Sequence, residues 1–277
     1  MTDGAADIRV YDAAAPRRAG RALADLREGF ANLRLARELA WLDLRNRYRG
    51  SVLGPFWVTL STAAMVGGLG LLYSRLFGLP LADYLPHLAV SLVVWNVIAG
   101  LVTDACTSLT GAEGVIRQMR LPYATHALRC VLRNAMTAAH SLPLVALAFL
   151  AVGHLPGPEA LLALPGLALL GVNAFAAALL LGAVCARFRD IGPIVANVMQ
   201  LAFFLTPVLW KPELLGDSAA WLPLNPFYAL LETVRGPLVG GGAGAAVWAA
   251  ALAHTALALG VAWAFFARFR GRVAFWV

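Results

Sequence analysis

Three arginines and a tyrosine lie close together near the start of the chain, at Arg45, Arg47, Tyr48 and Arg49. A guanidinium group is planar and permanently charged, and its geometry matches that of phosphate oxygens. The four residues therefore predict a site for a phosphate-bearing headgroup. One alternative stays open, in which the arginines only anchor the chain at one face of a membrane.

Several common catalytic and nucleotide-binding patterns do not occur in the sequence. A P-loop is excluded because the only lysine, Lys211, directly precedes a proline. Neither a Gly-x-Ser-x-Gly motif nor a His-Glu-x-x-His motif occurs. Cys106, Cys130 and Cys185 lack metal-binding or redox spacing and are interpreted as small apolar packing residues. We therefore predict a chain that is not an enzyme and that has no catalytic residues, metal site or cofactor of its own.

A second group of residues could line a pathway. Aromatic faces offer apolar contact that tolerates varied sugar C–H surfaces, and two charged residues three positions apart could pair on a helix. The alternatives are packing in the core or in interface belts for the rings, and a purely structural salt bridge for the pair. The predicted pathway residues are Trp95, Phe203, Phe204, Trp221, Phe227, Tyr228, Glu232 and Arg235.

The segment 111–123 mixes apolar and basic residues between two apolar runs. Val115, Ile116 and Met119 would share one face of a short helix, which a proline at 122 would end. Such a face is typical of a docking helix, although a helix resting on the membrane surface remains an alternative. The predicted docking residues are Val115, Ile116, Arg117, Met119 and Arg120.

The composition identifies the elements that must position these residues. Hydrophobic residues make up 60% of the chain and charged residues 13%, whereas soluble domains carry about 25% charged residues. A membrane-spanning helix needs roughly 20 mostly apolar residues, and the apolar runs here are continuous, which disfavours transmembrane strands. Six spans are predicted, near 55–74, 85–103, 134–153, 160–186, 191–210 and 246–267.

The basic residues indicate how these spans are oriented. Of 22 Lys and Arg residues, ten lie in residues 1–50, four between the second and third spans, two between the fourth and fifth, and three after the sixth. Basic loops stay in the cytoplasm, so both termini are predicted to be cytoplasmic. The net charge of +7 is therefore explained by membrane orientation and not by nucleic-acid binding.

Three regions follow from this reading. Residues 1–30 are predicted to be a mobile cytoplasmic leader. Residues 31–54 hold an amphipathic helix at the membrane interface, with i,i+4 pairs Arg34/Glu38 and Asp43/Arg47, and then the first segment into the membrane; a cytoplasmic helix packed on protein is the alternative. Residues 55–277 form the six-span domain, in which 225–238 is predicted to be one or two re-entrant helices on the outer side.

Taken in order, the motifs of this chain resemble those of the ABC-2 type permease family, in particular subunits that export lipid-linked O-antigen or capsular polysaccharide. The resemblance covers roughly residues 30–277. It rests on Arg-Tyr-Arg-Gly-Ser-Val-Leu-Gly-Pro-Phe-Trp at 47–57, the loop 116–122, Arg-Phe-Arg-Asp-Ile at 187–191, Thr-Pro-Val-Leu-Trp at 206–210, Asn-Pro-Phe-Tyr at 225–228 and Arg-Val-Ala-Phe-Trp-Val at 272–277.

The resemblance implies an all-α homodimer that forms a channel and works with two copies of a separate nucleotide-binding subunit, which binds ATP and Mg²⁺. It implies an undecaprenyl-diphosphate-linked glycan as substrate, moved across the bacterial cytoplasmic membrane, with membrane lipids around the chain. It also implies that the helix 31–49 and the loop 111–122 contact the ATPase, and that the outer re-entrant helices cap the channel. The loop departs from the family pattern at 118–122, which leaves the glycan identity open.

Other classes of protein remain as alternatives at this stage. Another ABC-2 exporter could move teichoic acid or a hydrophobic drug. An ion-driven secondary transporter would normally show acidic residues in mid-span, and a membrane glycosyltransferase or polymerase would show paired carboxylates near one membrane face. Neither pattern is convincing in this sequence.

Overall fold

The computed structural model describes residues 18–153 and 155–277, and every regular element in this part of the chain is helical. The prediction of an all-α fold is thereby confirmed, while residues 1–17 of the predicted leader lie outside the described residues. Three 3-10 segments, at Thr110–Ala112, Pro158–Leu162 and Pro212–Leu224, connect α-helices. The α-helices are α1 Arg18–Ala31, α2 Leu33–Arg47, α3 Phe56–Leu76, α4 Leu81–Cys106, α5 Glu113–Gln118, α6 Tyr123–Ala139, α7 Leu142–Val152, α8 Ala163–Arg187, α9 Ile191–Leu205, α10 Pro226–Val239 and α11 Ala245–Trp276.

Five helical segments of the described chain are long and apolar enough to cross a membrane. They cover five of the six predicted spans, and each is longer than its predicted counterpart. The remaining predicted span, 191–210, contains only the 15-residue helix α9, which is shorter than the roughly 20 residues that a crossing requires. The five segments are Phe56–Leu76, Leu81–Cys106, Tyr123–Val152, Pro158–Arg187 and Ala245–Trp276.

Helix α9 ends early because Pro207 forces the preceding residue, Thr206, into an extended conformation. The irregular segment 206–210 that follows is nevertheless packed inside the bundle, with Thr206 and Val208 fully buried. Side chains from other helices satisfy its polar groups, as described below. Irregular backbone at membrane depth is tolerated only under such conditions.

The third candidate span is interrupted near its middle. Helix α6 ends at Ala139, and α7 starts at Leu142 with Pro143 in its first turn, where the missing N–H costs little. The interruption leaves the carbonyl of His140 without a helical partner, and the Thr59 hydroxyl of α3 donates to it at 2.8 Å. A neighbouring helix therefore restores the hydrogen bond that the break removes.

Helix α4 is the central element of the bundle. Its 26 residues include an uninterrupted buried stretch from Pro86 to Trp95, in which all residues but His87 and Ser91 are apolar, as expected of a helix surrounded by protein. It packs against α3, α6, α7, α8, α9 and α10. One end of this helix therefore meets α2 and α6, and the other meets the segments before and within α10.

Helices α1 and α2 pack on one end of the bundle, called here the basic end, where α5, the start of α6 and the last turns of α8 and α11 also lie. The prediction of a mobile leader is wrong for residues 18–30, because α1 buries Ala22, Asp25 and Gly29. Helix α2 packs on α6 through Ala36, Ala40 and Leu44. These residues form a narrow stripe, and the large apolar side chains of Trp41 and Leu42 on the same helix remain half exposed.

Candidate functional site

The predicted headgroup residues lie at the end of α2 and in the turn that follows. Arg45, Tyr48 and Arg49 line an open cavity of about 420 Å³ together with Leu42 and Asn46. Both arginines are exposed. The cavity therefore offers two guanidinium groups, a phenol and an amide on a surface that also carries apolar side chains, which suits an anionic headgroup attached to a lipid.

Arg47 does not line this cavity, although its neighbours do. Its guanidinium group donates to both carboxylate oxygens of Asp104, at the end of α4, at 3.3 Å. The predicted pairing of Asp43 with Arg47 along α2 is wrong for the same reason, since Asp43 binds two arginines of α6 instead. Tertiary packing places α2 on α6, and the buried partners outcompete the exposed helical neighbour.

These contacts belong to a partly buried charge cluster between α2, α4 and α6. Asp43 accepts from Arg129 Nε at 2.6 Å and from Arg133 Nη1 at 3.2 Å. Arg133 also reaches Asp104 at 2.9 Å, so that one guanidinium bridges the two carboxylates. The charge cluster consists of Asp43, Arg47, Asp104, Arg129, Arg133 and Asn134, whose amide donates to Asp104 at 3.0 Å.

The arginines determine the electrostatics of the charge cluster. Burial alone would raise the pKa of the Asp43 carboxyl, but the hydrogen bonds and charges of Arg129 and Arg133 outweigh it and lower that pKa below its ordinary value of 3.8. Three arginines face two carboxylates, which leaves an excess of one positive charge. Arg47 is the most exposed of the three arginines, so the excess charge lies beside the headgroup cavity.

The predicted docking residues lie on and just after the short helix α5. Ile116 packs partly into the apolar core of the basic end, and Arg117 forms a 2.7 Å ion pair with Glu113. Met119 does not share a helical face with Val115 and Ile116 as predicted, because α5 ends at Gln118 and Met119 is extended and exposed. Val115 is half-buried, and Arg120 is exposed on the surface.

The predicted pathway aromatics divide into two groups. Trp95 contacts Phe203 and Phe227, and Phe203 contacts Phe204, with ring centroids 5.3 to 5.9 Å apart. Trp95 is buried, Phe203 and Phe227 are partly buried, and Phe204 is 63% exposed, so the aromatic chain runs from the core to an exposed ring. The other two, Trp221 and Tyr228, do not join this group: the first is 71% exposed and the second is buried beside Leu222 and Val247.

Glu232 and Arg235 form the predicted salt bridge on α10. Arg235 is almost completely buried, and it also donates to the Ser91 hydroxyl at 2.9 Å and to the carbonyl of Pro207. The Tyr84 hydroxyl donates to the carbonyl of Leu209, and the His87 ring nitrogen Nε2 lies 3.4 Å from Arg235 Nη1. The contacts of Arg235 therefore assign it mainly a structural role, in which it holds the irregular segment 206–210 in place.

A polar cavity of about 490 Å³ lies beside this salt bridge, at the end of the bundle opposite the basic end. Charged side chains from three segments surround it, and their signs are mixed. Its charged and titratable lining residues are Asp83, His87, Lys211, Glu213, Glu232 and Arg235.

Exposed amide side chains at membrane depth were not predicted as site residues. Asn197 and Gln200 are exposed on α9, and Asn96 is exposed on the neighbouring helix α4, where it donates to the Thr62 hydroxyl of α3 at 3.0 Å. An amide facing hydrocarbon is costly, so a face of this kind normally meets protein or water. The sequence carried a usable signal, because the three amides interrupt otherwise apolar runs.

The chain is similar to proteins of known description. A family model described as ABC-2 type transporter matches residues 34–239. The O-antigen export system permease protein RfbA of Myxococcus xanthus is 28% identical over 201 residues, which are 70% of this chain and 75% of the relative. Two O-antigen export system permease proteins RfbA of Klebsiella pneumoniae are 20% and 22% identical over 195 and 196 residues, with the same coverage.

Proposed function

Because the chain belongs to the ABC-2 type transporter family, we propose that it is the transmembrane subunit of an ATP-driven exporter of lipid-linked polysaccharide of the O-antigen or capsule type. The observation that carries this proposal is the similarity to three O-antigen export permeases over 70% of the chain. A separate subunit with the nucleotide-binding site would hydrolyse ATP, since the present chain has no P-loop.

The proposed assembly is a homodimer in a bacterial cytoplasmic membrane, bound to two ATPase subunits. Each chain contributes six spans, with α9 and the segment 206–210 together acting as the fifth, and both termini are cytoplasmic. The proposed orientation is supported by the arginines gathered at the basic end, which would face the cytoplasm. The 3-10 segment Pro212–Leu224 and helix α10 would be the outer re-entrant part.

The proposed conduit lies along α4 and α9, the neighbouring helices that carry the exposed amides. Asn96, Asn197 and Gln200 would be solvated by water or by glycan hydroxyls there, and Phe204 would supply an apolar surface for sugar C–H groups. This proposal is supported by the cost of leaving three amides in lipid. A hydrophobic-drug exporter is less well supported, because an apolar ligand would offer no hydrogen-bond partner to the side chains of Asn197 and Gln200.

The cavity at the end of α2 is the proposed site for the diphosphate of the substrate. Arg45, Arg49 and Tyr48 would bind the phosphate oxygens, and the excess charge of Arg47 would attract the headgroup without direct contact. The exposed Trp41 and Leu42 would lie near the lipid, where an amphipathic surface is expected.

The proposed coupling path runs through the docking segment, residues 113–120. Closure of the ATPase subunits on ATP would press on Val115, Met119, Arg117 and Arg120, while Ile116 transmits the displacement to the core of the basic end. The start of α6 would move with it and, through the charge cluster, carry α2 and α4. A shift of packed helices of this kind is a common way to convert a local contact into an opening.

The experiment that tests the proposal is reconstitution of the tagged chain with its cognate ATPase in lipid vesicles. ATP hydrolysis that rises when lipid-linked glycan is added, and falls again when Asn197 and Gln200 are both replaced by leucine, is the expected result. Stimulation by a teichoic-acid precursor but not by a neutral glycan would redirect the substrate to that polymer. A folded chain that binds no ATPase and transports in response to an ion gradient would refute the proposal.

A further inference from the structure

Asp25 of α1 is a carboxylate that lies completely inside the protein. Its two oxygens accept hydrogen bonds from the backbone amides of Tyr123 at 3.3 Å and Ala124 at 3.0 Å. Arg270 of α11 donates to the same carboxylate through Nε at 2.7 Å. One side chain therefore joins three helices, α1, α6 and α11.

The start of α6 needs a partner of this kind because of its own sequence. The first amides of a helix have no helical acceptor, and a polar side chain at the N-cap usually supplies one. Pro122 occupies the N-cap of α6 and has no polar side chain. The cap therefore comes from Asp25, 98 residues earlier in the chain, and its negative charge also suits the positive end of the helix.

The fit between α1 and α6 is close as well as polar. A Cβ atom built on Gly29 would lie 2.5 Å from the Cβ of Ala124 and 3.2 Å from the backbone of Thr125. The guanidinium carbon of Arg270 lies 5.7 Å from the centre of the Tyr123 ring, on the other side of the junction. The first turn of α6 is thus held on two sides by α1 and α11.

This junction immediately follows the docking segment. Met119 is extended, and Pro122 and Tyr123 come three and four residues later. Both helices that hold the junction lie outside residues 34–239, the stretch matched by the family model. The junction next to the docking segment is therefore held by helices that lie outside the matched stretch.

We propose that Asp25 is a positioning residue for ATPase docking, and that it fixes the direction in which the docking segment leaves the bundle. The inference rests on the proposed function, because it assigns the docking segment to the ATPase. Loss of the Asp25 cap would let the first turn of α6 fray, and the docking segment would then sample many orientations. Binding to the ATPase would then cost conformational entropy, because the docking segment would have to be ordered before it could make its contacts.

The test compares Asp25→Asn, Arg270→Gln and, as a matched control, Glu28→Gln, an exposed acidic residue of the same helix. Hydrogen exchange of the full-length proteins should show the amides of Tyr123 and Ala124 exchanging about tenfold faster in Asp25→Asn. Affinity for the purified ATPase should fall about tenfold in the same variant and by less in Arg270→Gln, with binding of lipid diphosphate unchanged. Glu28→Gln should match the wild type in each assay.

Two results would overturn the proposal. Unchanged exchange at the start of α6 would show that Asp25 does not hold it, and faster exchange with unchanged ATPase affinity would reduce Asp25 to a structural cap. If Asp25→Asn does not fold, Arg270→Gln decides, since it removes the side chain that holds the Asp25 carboxylate in place: faster exchange at Tyr123 and Ala124 with wild-type ATPase affinity in that variant refutes the positioning role. A wild-type chain that binds no ATPase would instead refute the proposed function, and that failure is visible without any variant.

Discussion

In the variant Asp43→Asn, helix α2 should be detached from the rest of the protein far more often than in the wild type. The Asp43 carboxylate receives hydrogen bonds from Arg129 and Arg133, and Arg133 has a second carboxylate partner in Asp104. Asparagine keeps the shape and one acceptor oxygen but removes the negative charge. The change therefore leaves Arg129 facing a neutral group, while Arg133 keeps Asp104 as a carboxylate partner.

The expected magnitude follows from burial. The side chains of Asp43, Arg129 and Arg133 are 17%, 16% and 14% exposed, so water can replace the lost carboxylate only in part. Removing one partner of a buried ion pair costs about 3 kcal/mol at the lower end of the usual range, and this residual exposure argues for that end. A cost of that size corresponds to about 150-fold in the equilibrium between docked and detached α2.

Hydrogen exchange resolved along α2 measures this equilibrium directly. The control is Glu38→Gln on the same helix, whose side chain is 58% exposed and pairs with the exposed Arg37; surface pairs contribute little. The amides of α2 should exchange about 150-fold faster in Asp43→Asn and at the wild-type rate in Glu38→Gln. Equal rates in the two variants would refute the buried ion pair as the main attachment of α2.

A double variant tests the cause. The double variant combines Asp43→Asn with Arg129→Gln. If the unpaired arginine charge causes the detachment of α2, the amides of α2 should exchange more slowly in the double variant than in Asp43→Asn alone, because that charge has been removed. Additive losses would mean that the contacts act independently.

Three further predictions concern the pH dependence of α2 docking, the packing of α8 on α10, and headgroup binding. Because the pKa of Asp43 is lowered below 3.8 in the folded protein, protection of α2 should stay constant from about pH 8 to about pH 5 and disappear only as the pH falls below about 4 through that pKa; loss near pH 6 would contradict this. Gly166→Ala should lower the stability in thermal unfolding by about 2 kcal/mol, since the new Cβ would lie 2.6 Å from a backbone oxygen of α10, whereas Gly171→Ala on the same helix meets nothing within 4 Å. Replacing Arg45 and Arg49 by glutamine should weaken binding to vesicles with diphosphate-linked lipid by about 30-fold and leave membrane insertion unchanged; lost insertion would favour the anchoring role.

Much of the helical framework could be predicted from the sequence because continuous apolar runs have few alternatives in a membrane. The short α9 was also within reach, since Pro207 stands in the sequence and restricts the residue before it. Predicting the break near His140 was harder, because Pro143 fits the first turn of a new helix as well as a kink in an old one.

The polar contacts were largely beyond sequence reasoning. Asp43 and Arg47 stand four residues apart, which favours a helical pair, yet each finds a buried partner on another helix. Asp25 caps the start of α6, 98 residues later in the chain, and no local sequence pattern predicts such a cap. By contrast, the Glu232–Arg235 pair was predicted correctly, because both residues lie on one helix and face the same side.

The buried irregular segment 206–210 has a consequence for how the chain is inserted during synthesis. One of its carbonyls is satisfied from α4, which is made earlier, but the carbonyl of Pro207 depends on Arg235, which is made 28 residues later. While α9 leaves the translocon, that carbonyl has no partner, and exposing it to lipid is costly. We therefore expect helix α9 to stay beside the translocon until α10 has emerged, so that both helices enter the lipid bilayer together. A nascent chain stopped after residue 224 should accordingly remain accessible to water at this segment.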